Sequence, residues 1–297
     1  MDNIKIGYFA DGPWGHKALE LLLADKTVEI AFIVPRNDTR DYFLKENAIA
    51  NGIDFISPVK INSEEFYQEA QKYNCDLFVS MSFNQIFKTR IIHLPKFLTI
   101  NCHAGKLPFY RGRNILNWVL INDEKEFGIT VHYMDEGIDT GDIILQKTYP
   151  ITDEDDYGTI INIAYDECAN ILYNAIKLIQ EGNVKRIPQS SISPYGMYCG
   201  IRQSGDERIE WKQPSRDIFN FVRALSRPGP QSLTFYNDIP VYINKVIYNG
   251  DFCKYKGFPG QILGFENGHP IVKTLDSIVI ISEYESQYKF KIGDRLT

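Results

Sequence analysis

Ile4-Lys5-Ile6-Gly7-Tyr8-Phe9, the stretch Trp14 to Ala24, and Val28-Glu29-Ile30-Ala31-Phe32-Ile33-Val34 are the passage that decides the fold. The two short runs are apolar nearly throughout, as in strands covered on both faces. Between them Ala18, Leu19, Leu22 and Leu23 recur at helical spacing and share one side. Strand, helix and strand in turn make a βαβ unit, whose crossover joins parallel strands. The alternation continues outward. Asp38 to Asn51 reads as a helix capped by Asp38, Gly52 stops it, and Ile53 to Ile56 is a strand. Asn62 or Ser63 opens a helix from Glu64 to Lys72, Leu77 to Ser80 is the next strand, and Leu98 to His103 follows an irregular stretch. The expected fold class is α/β, with a doubly wound, mostly parallel sheet.

Gly128 to Met134 and Ile143 to Tyr149 read as strands flanking a Gly-rich loop, and Asp155 to Gln180 is the longest helical pattern, ended by Gly182-Asn183. Residues 1–184 are expected to form the catalytic domain. Residues 185–205, rich in Ser, Pro, Gly and Gln, read as a linker. Residues 206–297 begin with a helix, Ser215 to Leu225. Five short strands follow: Ser232 to Tyr236, Val241 to Tyr248, Gly260 to Phe265, Pro270 to Thr274 and Ser277 to Ser282. Gly and Asn turns separate them, the pattern of a small β-barrel.

At 297 residues the chain has room for one large domain and a smaller one, and 44% hydrophobic with 24% charged residues is ordinary for a globular protein. A net charge of -6 argues against a general affinity for nucleic acid. The start, Met1-Asp2-Asn3-Ile4-Lys5-Ile6, lacks a basic segment followed by a long apolar one. No apolar run approaches the roughly 20 residues that span a bilayer. Cys75, Cys102, Cys168, Cys199 and Cys253 are scattered and odd in number, which argues against a disulfide framework or a zinc knuckle. The expected address is the cytoplasm, with no membrane partner.

Asn101-Cys102-His103 closes the run Phe97-Leu98-Thr99-Ile100 and opens the loop Ala104 to Gly112. Alternation along a strand points Asn101 and His103 to one side and Cys102 to the other, so Cys102 is expected in the core. An amide donor and an imidazole then share a strand end, where α/β proteins build their sites. Asp139, in the loop Asp135-Glu136-Gly137-Ile138-Asp139-Thr140-Gly141-Asp142, could bring a carboxylate to that imidazole. Such parts stabilise an oxyanion and move a proton. Taken singly, each has a plainer reading as a turn or hydrogen-bonded residue. A metal site of His103, His132 and Asp139 lacks ligand spacing, and no metal is expected. Gly12-Pro13-Trp14-Gly15 is not a dinucleotide fingerprint, although a turn before a helix can meet an anion, with Trp14 packed on it or on the core.

Together these residues resemble the formyltransferase family that uses N10-formyltetrahydrofolate. The family pattern is Asn-x-His, a loop ending Leu-Pro-x-Tyr-Arg-Gly, and an Asp in an Asp-x-Gly segment. This chain supplies Asn101-Cys102-His103, Leu107-Pro108-Phe109-Tyr110-Arg111-Gly112 and Asp139-Thr140-Gly141 in that order. Arg208-Ile209-Glu210-Trp211 with Ile218 and Arg223-Ala224 extends the likeness into the second domain. Arg111-Gly112-Arg113-Asn114-Ile115-Leu116-Asn117-Trp118-Val119-Leu120 looks closest to the formyltransferase half of the enzyme that modifies UDP-4-amino-4-deoxyarabinose, and so to the sugar-nucleotide N-formyltransferases. Gly105-Lys106 stands where the family often has Ser-Leu, and Ile115 where Pro is common.

The resemblance implies a Rossmann-like catalytic domain, an OB-like barrel and N10-formyltetrahydrofolate as co-substrate. It implies direct attack by an amine on the formyl carbon. Asn101 would donate to the developing oxyanion, His103 would move the amine proton, and Asp139 would orient the imidazole and fix its tautomer. It also implies cofactor contacts at Gln85, Ile86, Phe87, Arg113, Asp135, Glu136, Gly137 and Ile138. The acceptor would be a nucleotide-linked amino sugar, with dTDP-4-amino-4,6-dideoxyglucose favoured, in surface polysaccharide (O-antigen) synthesis. Trp14, Tyr110, Arg202, Arg223 and Arg227 are candidate acceptor contacts, and a homodimer is a further expectation. A methionyl-tRNA formyltransferase and a catalytically silent folate- or nucleotide-binding module are the alternatives. Acidic and basic residues nearly balance across 206–297, against a tRNA face.

Overall fold

The computed structural model of the protein describes residues 3–254 and 256–297; Met1 and Asp2, where the reading of the amino-terminus begins, and Tyr255 lie outside. In chain order the elements are β1 (Ile4–Ala10), α1 (Gly12–Ala24), β2 (Val28–Val34), α2 (Tyr42–Asn51), β3 (Asp54–Phe55), α3 (Glu64–Lys72), β4 (Leu77–Met81), α4 (Thr89–Ile92), β5 (Thr99–His103), β6 (Arg111–Gly112), α5 (Ile115–Ile121), β7 (Glu126–Tyr133), β8 (Ile143–Pro150) and α6 (Tyr157–Gln180). A 3-10 turn at Gln189–Ser191 precedes β9 (Tyr198–Cys199). Then come α7 (Ser215–Leu225), β10 (Ser232–Tyr236), β11 (Ile239–Ile247), β12 (Ile262–Glu266), β13 (His269–Lys273) and β14 (Ile278–Glu285). Among the described residues no helix is long and apolar enough to cross a membrane.

The chain divides into two compact units. The first comprises 1–113, 127–149 and 162–199. Its seven-stranded sheet has the order β3-β2-β1-β4-β5-β7-β8. The pairs β2–β3, β1–β2, β1–β4 and β4–β5 are parallel, and β5–β7 is antiparallel. The chain works outward from β1 to β3 and then resumes at β4 on β1's other side. That reversal is the topological switch where open α/β sheets place their ligands. Gly7 is required here: a Cβ would lie 2.5 Å from the Phe32 ring and 2.7 Å from Phe78. Its absence lets those rings close over β1 with Phe9, which meets Phe87 at 4.9 Å and Phe78 at 5.3 Å between centroids.

The second helix starts at Tyr42 rather than near Asp38. Asp38 is held by Arg36, Nη2 to Oδ2 2.7 Å, whereas Asp41 accepts from the Leu44 N–H at 3.0 Å and caps the helix. The other Asp41 oxygen accepts from Gly12 N at 2.8 Å, so the anion-binding start of α1 is filled by the protein's own carboxylate. The segment expected as a linker is integral to the first unit through Cys199. β9 pairs with β6, and Gln189 is buried within it.

The second unit is discontinuous: 114–126, 150–161 and 200–297. α5 is tied to α7 by Asn117 Nδ2 donating to Ala224 O at 2.6 Å. Arg216 on α7 donates to both Asp153 oxygens at 2.7 Å and also pairs with Asp123. The five strands form an antiparallel sheet in the order β10-β11-β14-β13-β12. Its two edges are joined by the tail. Thr297 exchanges both backbone hydrogen bonds with Phe235 on β10, while Leu296 N reaches Gly260 O and Ile262 N reaches Asp294 O. This closure makes the expected barrel, around a core that includes Trp211, Val222, Val241, Ile262 and Phe290.

Candidate active site

β5 runs beside β4 and β7, and its register sets the chemistry. Asn101 is the partner of His132 across the antiparallel β5–β7 pair, and His103 is the partner of Thr130. Directly opposed residues share a face, so the Asn101 amide and the His132 ring meet, Nδ2 to Nε2, at 3.4 Å. His132 Nδ1 lies 2.7 Å from Tyr133 O. A carbonyl only accepts, so Nδ1 carries the hydrogen, and in the neutral ring the Nε2 lone pair accepts from Asn101. One Asn101 amide hydrogen points to His132 and the second is left for a ligand oxygen. Cys102 faces the other way, with Sγ 3.6 Å from Cys168 O, and is buried as expected.

His103 Nε2 sits 2.7 Å from Tyr110 O and by the same argument donates to it. Its Nδ1 faces Asp139 Oδ2 at 3.6 Å, so the lone pair of the neutral ring lies on the carboxylate side. Gly105 makes this possible. A Cβ there would stand 2.4 Å from His103 Nε2 and 2.5 Å from Tyr110 O. The residue that departs from the family pattern is thus the one the backbone needs as it passes the imidazole. Thr130 Oγ1 donates to Gly105 O at 2.6 Å and fixes that turn.

Asp139 lies between two imidazoles. Its Oδ1 is 3.5 Å from His132 Nε2, and its Oδ2 accepts from Gly112 N at 2.9 Å. The residue adopts the left-handed conformation, φ 54°, within its Gly-rich turn. Burial alone would push the carboxyl up, but the positive charge that the facing His103 and His132 rings carry when protonated, together with the Gly112 N–H, outweighs it and holds Asp139 well below the usual carboxylate range. The carboxylate is therefore charged wherever the protein is folded near neutral pH. An amide donor, a base with an available lone pair and a fixed negative charge stand together. From sequence alone His132 offers itself only as a metal ligand. The signal for its place is its alternation with Thr130 and Met134, which needs the strand register to be read. Among the described residues no group of three His, Cys, Asp or Glu is placed to hold a metal ion.

Residues 12–176 match the formyl transferase family, and 202–293 match the formyl transferase C-terminal domain. The chain belongs to the formyl transferase family. It is an enzyme of formyl transfer, and the family's formyl donor is N10-formyltetrahydrofolate. The methionyl-tRNA formyltransferase of Clostridioides difficile is 34% identical over 248 residues, covering 83% of this chain and 78% of that protein. That of Pelotomaculum thermopropionicum is 32% identical over 245 residues, 82% of this chain and 76% of the relative. Among solved structures, the N-formyltransferase from Helicobacter canadensis in complex with folinic acid and dTDP-3-aminofucose superposes with a TM-score of 0.71 at 23% identity, over 95% of this chain and 100% of that one. WlaRD, a sugar 3N-formyl transferase in the presence of dTDP and 5-N-formyl-THF, gives 0.69 at 22% identity, over 98% and 100%. At those identities the likeness is one of fold.

The remaining residues expected at this formyl transferase site divide by environment. In the loop after β4, Gln85 Oε1 accepts from Ile61 N at 3.0 Å, while Gln85 Nε2 and Asn84 Oδ1 are buried without a partner. Ile86 is exposed, its carbonyl taken by Asn62 Nδ2 at 2.7 Å. Phe87 is different: its side chain lies in the aromatic core, which leaves only its backbone for a ligand. Asp135, Glu136, Gly137 and Ile138 form an exposed turn in which Asp135 Oδ1 accepts from Gly137 N at 3.1 Å. Arg113 is exposed, and its N–H is held by Cys199 O at 3.2 Å. Trp14 packs edge-on against Tyr165 at 4.6 Å and so serves the first unit's own packing. Tyr110, half-buried, contributes its carbonyl to His103.

The three arginines lie in the second unit. Arg223 is buried: its Nε donates to Asn220 Oδ1 at 3.0 Å and its Nη1 to Thr152 O at 2.7 Å, so it is engaged in that unit's fold rather than open to a diphosphate. Arg227 pairs with Glu285 and approaches Glu283 at 4.0 Å. Arg202 is half-buried, its N–H bound to Asn114 Oδ1 at 3.0 Å.

Proposed function

We propose that the protein moves the formyl group of N10-formyltetrahydrofolate to the amine of a nucleotide-linked amino sugar, with dTDP-4-amino-4,6-dideoxyglucose the favoured acceptor, in surface polysaccharide synthesis. The observation that carries the chemistry is the convergence of Asn101, His103 and Asp139. The incoming amine uses its lone pair to form the new C–N bond. Asn101 Nδ2 donates its second hydrogen to the formyl oxygen as that oxygen gains charge, a contribution of about 3 kcal/mol for one such donor. His103 takes the amine proton at Nδ1 and delivers it to the nitrogen that leaves as the old C–N bond breaks. The cation formed on the ring is balanced by Asp139, 3.6 Å away.

Residues suited to the folate are present. Gln85 Nε2 and Asn84 Oδ1, on consecutive residues of the loop after β4, are a donor and an acceptor without a partner. A pterin edge, with both donors and acceptors, would satisfy them. Ile86 and the turn Asp135 to Ile138 add exposed surface in the same unit.

The sugar acceptor is supported by charge. A tRNA binder needs many uncommitted cations, because phosphate contacts dominate its affinity. In the second unit Arg216, Arg223, Arg227 and Lys273 are engaged internally, in a region where acidic and basic residues already nearly balance. The second reading, a methionyl-tRNA formyltransferase, is favoured by the names of the relatives at 32–34% identity. Incubation with N10-formyltetrahydrofolate and a panel of dTDP- and UDP-linked amino sugars beside Met-tRNA, followed by mass spectrometry, tests the proposal. A formyl increment on a sugar is expected. Formylation of Met-tRNA alone overturns it.

A further inference from the structure

We infer that Gln189 is a positioning residue for Asp139, and that the buried contact between Gln189 and Arg111 locks the two loops that hold the carboxylate. The inference rests on the catalytic reading of Asp139 given above. Gln189 lies in a Ser- and Pro-rich segment whose composition suggests only a connection, yet it is 4% exposed. All four of its side-chain hydrogen-bonding positions are used. Nε2 donates to Asp139 O and to Gly141 O, each at 2.8 Å. Oε1 accepts from Arg111 Nη2 at 2.6 Å and from Arg111 Nε at 3.1 Å.

Both ends of this bridge bear on the Asp139 carboxylate. At one end the amide grips the backbone of Asp139 itself, within its left-handed turn at φ 54°. At the other end Arg111 precedes Gly112, whose N–H donates to Asp139 Oδ2 at 2.9 Å. Backbone pairing of β6 with β9 holds Arg111 in register with Tyr198. Gly196 leaves room for the guanidinium, since a Cβ there would sit 2.1 Å from Arg111 Nη1. The amide thus joins the loop that carries the acid to the loop that supplies its backbone donor. Gln189 reaches no reacting atom and acts through Asp139. A misplacement of about 1 Å in a catalytic group costs about a hundredfold in rate.

The test compares Gln189→Ala, Gln189→Glu, Asp139→Asn and the Gln189→Ala/Asp139→Asn double variant. Gln189→Ala is expected to lose about a hundredfold in kcat with KM for donor and acceptor unchanged. In the Asp139→Asn background it should cost nothing further, because residues acting as a unit are not additive. Gln189→Glu keeps the acceptor for Arg111 but loses both donations and regains only one of them when its carboxyl is protonated, so its rate relative to wild type should rise in part as pH falls. Carboxyl NMR gives a readout independent of turnover: Gln189→Ala should move the Asp139 titration upward, toward the ordinary carboxylate range. Full kcat in Gln189→Ala, additive losses in the double variant, or an unmoved Asp139 titration in a folded variant overturns the inference. If Asp139→Asn keeps full activity, the catalytic reading fails instead.

Discussion

Asn101 and His132 face each other across the β5–β7 pair, so the amide proposed to stabilise the oxyanion is oriented by a histidine from the neighbouring strand. His132 also approaches the Asp139 carboxylate at 3.5 Å and is buried. His132→Leu removes both contacts while keeping an apolar body of similar size. A neutral hydrogen bond such as that between Asn101 and His132 contributes about 0.5–1.5 kcal/mol, so kcat should fall about two- to tenfold. Steady-state kinetics decide it, and an unchanged kcat would leave His132 with a packing role only.

Gly105→Ala places a methyl group against both ends of the hydrogen bond from His103 to Tyr110 O. Overpacking of this kind costs about 1–3 kcal/mol in stability. The displaced ring should also lower activity more than stability alone explains. Unfolding and kinetics measured on the same preparation separate the two effects. Wild-type kcat in this variant would mean that the loop yields without moving His103.

Asp139 ionises at lower pH in the folded protein than in the unfolded chain. The stabilisation this supplies is fully present above the ordinary carboxyl value of 3.8 and is lost as pH falls below it toward the folded value. The stability difference between wild type and Asp139→Asn should therefore be constant near neutral pH and shrink below about pH 4. Urea unfolding at a series of pH values measures it. Parallel curves down to the acid limit would show that Asp139 gains nothing from its imidazole neighbours.

Phe87 distinguishes core from ligand surface. Its ring meets Phe9 at 4.9 Å and Phe83 at 5.8 Å and is buried. Phe87→Ala should cost about 3–5 kcal/mol in unfolding free energy, the range for large aromatic truncations. A variant of native stability but raised KM for the folate would return Phe87 to the ligand.

The alternation of apolar strands with amphipathic helices was legible because β1, β2, β4 and β5 are short, largely apolar runs bounded by turn residues. The boundaries of α3 and α7 were legible from Ser63, which caps the first through Phe66 N, and from the apolar spacing of the second. Less legible was the start of α2, because Asp38 and Asp41 are equally good caps in sequence and the choice depends on Arg36. Segments 114–126 and 150–161 join the second unit through Asn117, Asp123 and Asp153, partners distant in the chain. At the site, Asn101, His103 and Asp139 carried a recognisable order. Gln189 and His132 did not, since one depends on a tertiary bridge and the other on strand register.

The tail that joins β10 to β12 bears on the protein's behaviour at high concentration. An unpaired strand edge is a template for other chains. Here Thr297 occupies the backbone groups of Phe235, and Asp294 and Leu296 occupy those of Ile262 and Gly260. Replacing or deleting residues 294–297 would uncover both edges at once, and intermolecular sheet pairing would then compete with native closure.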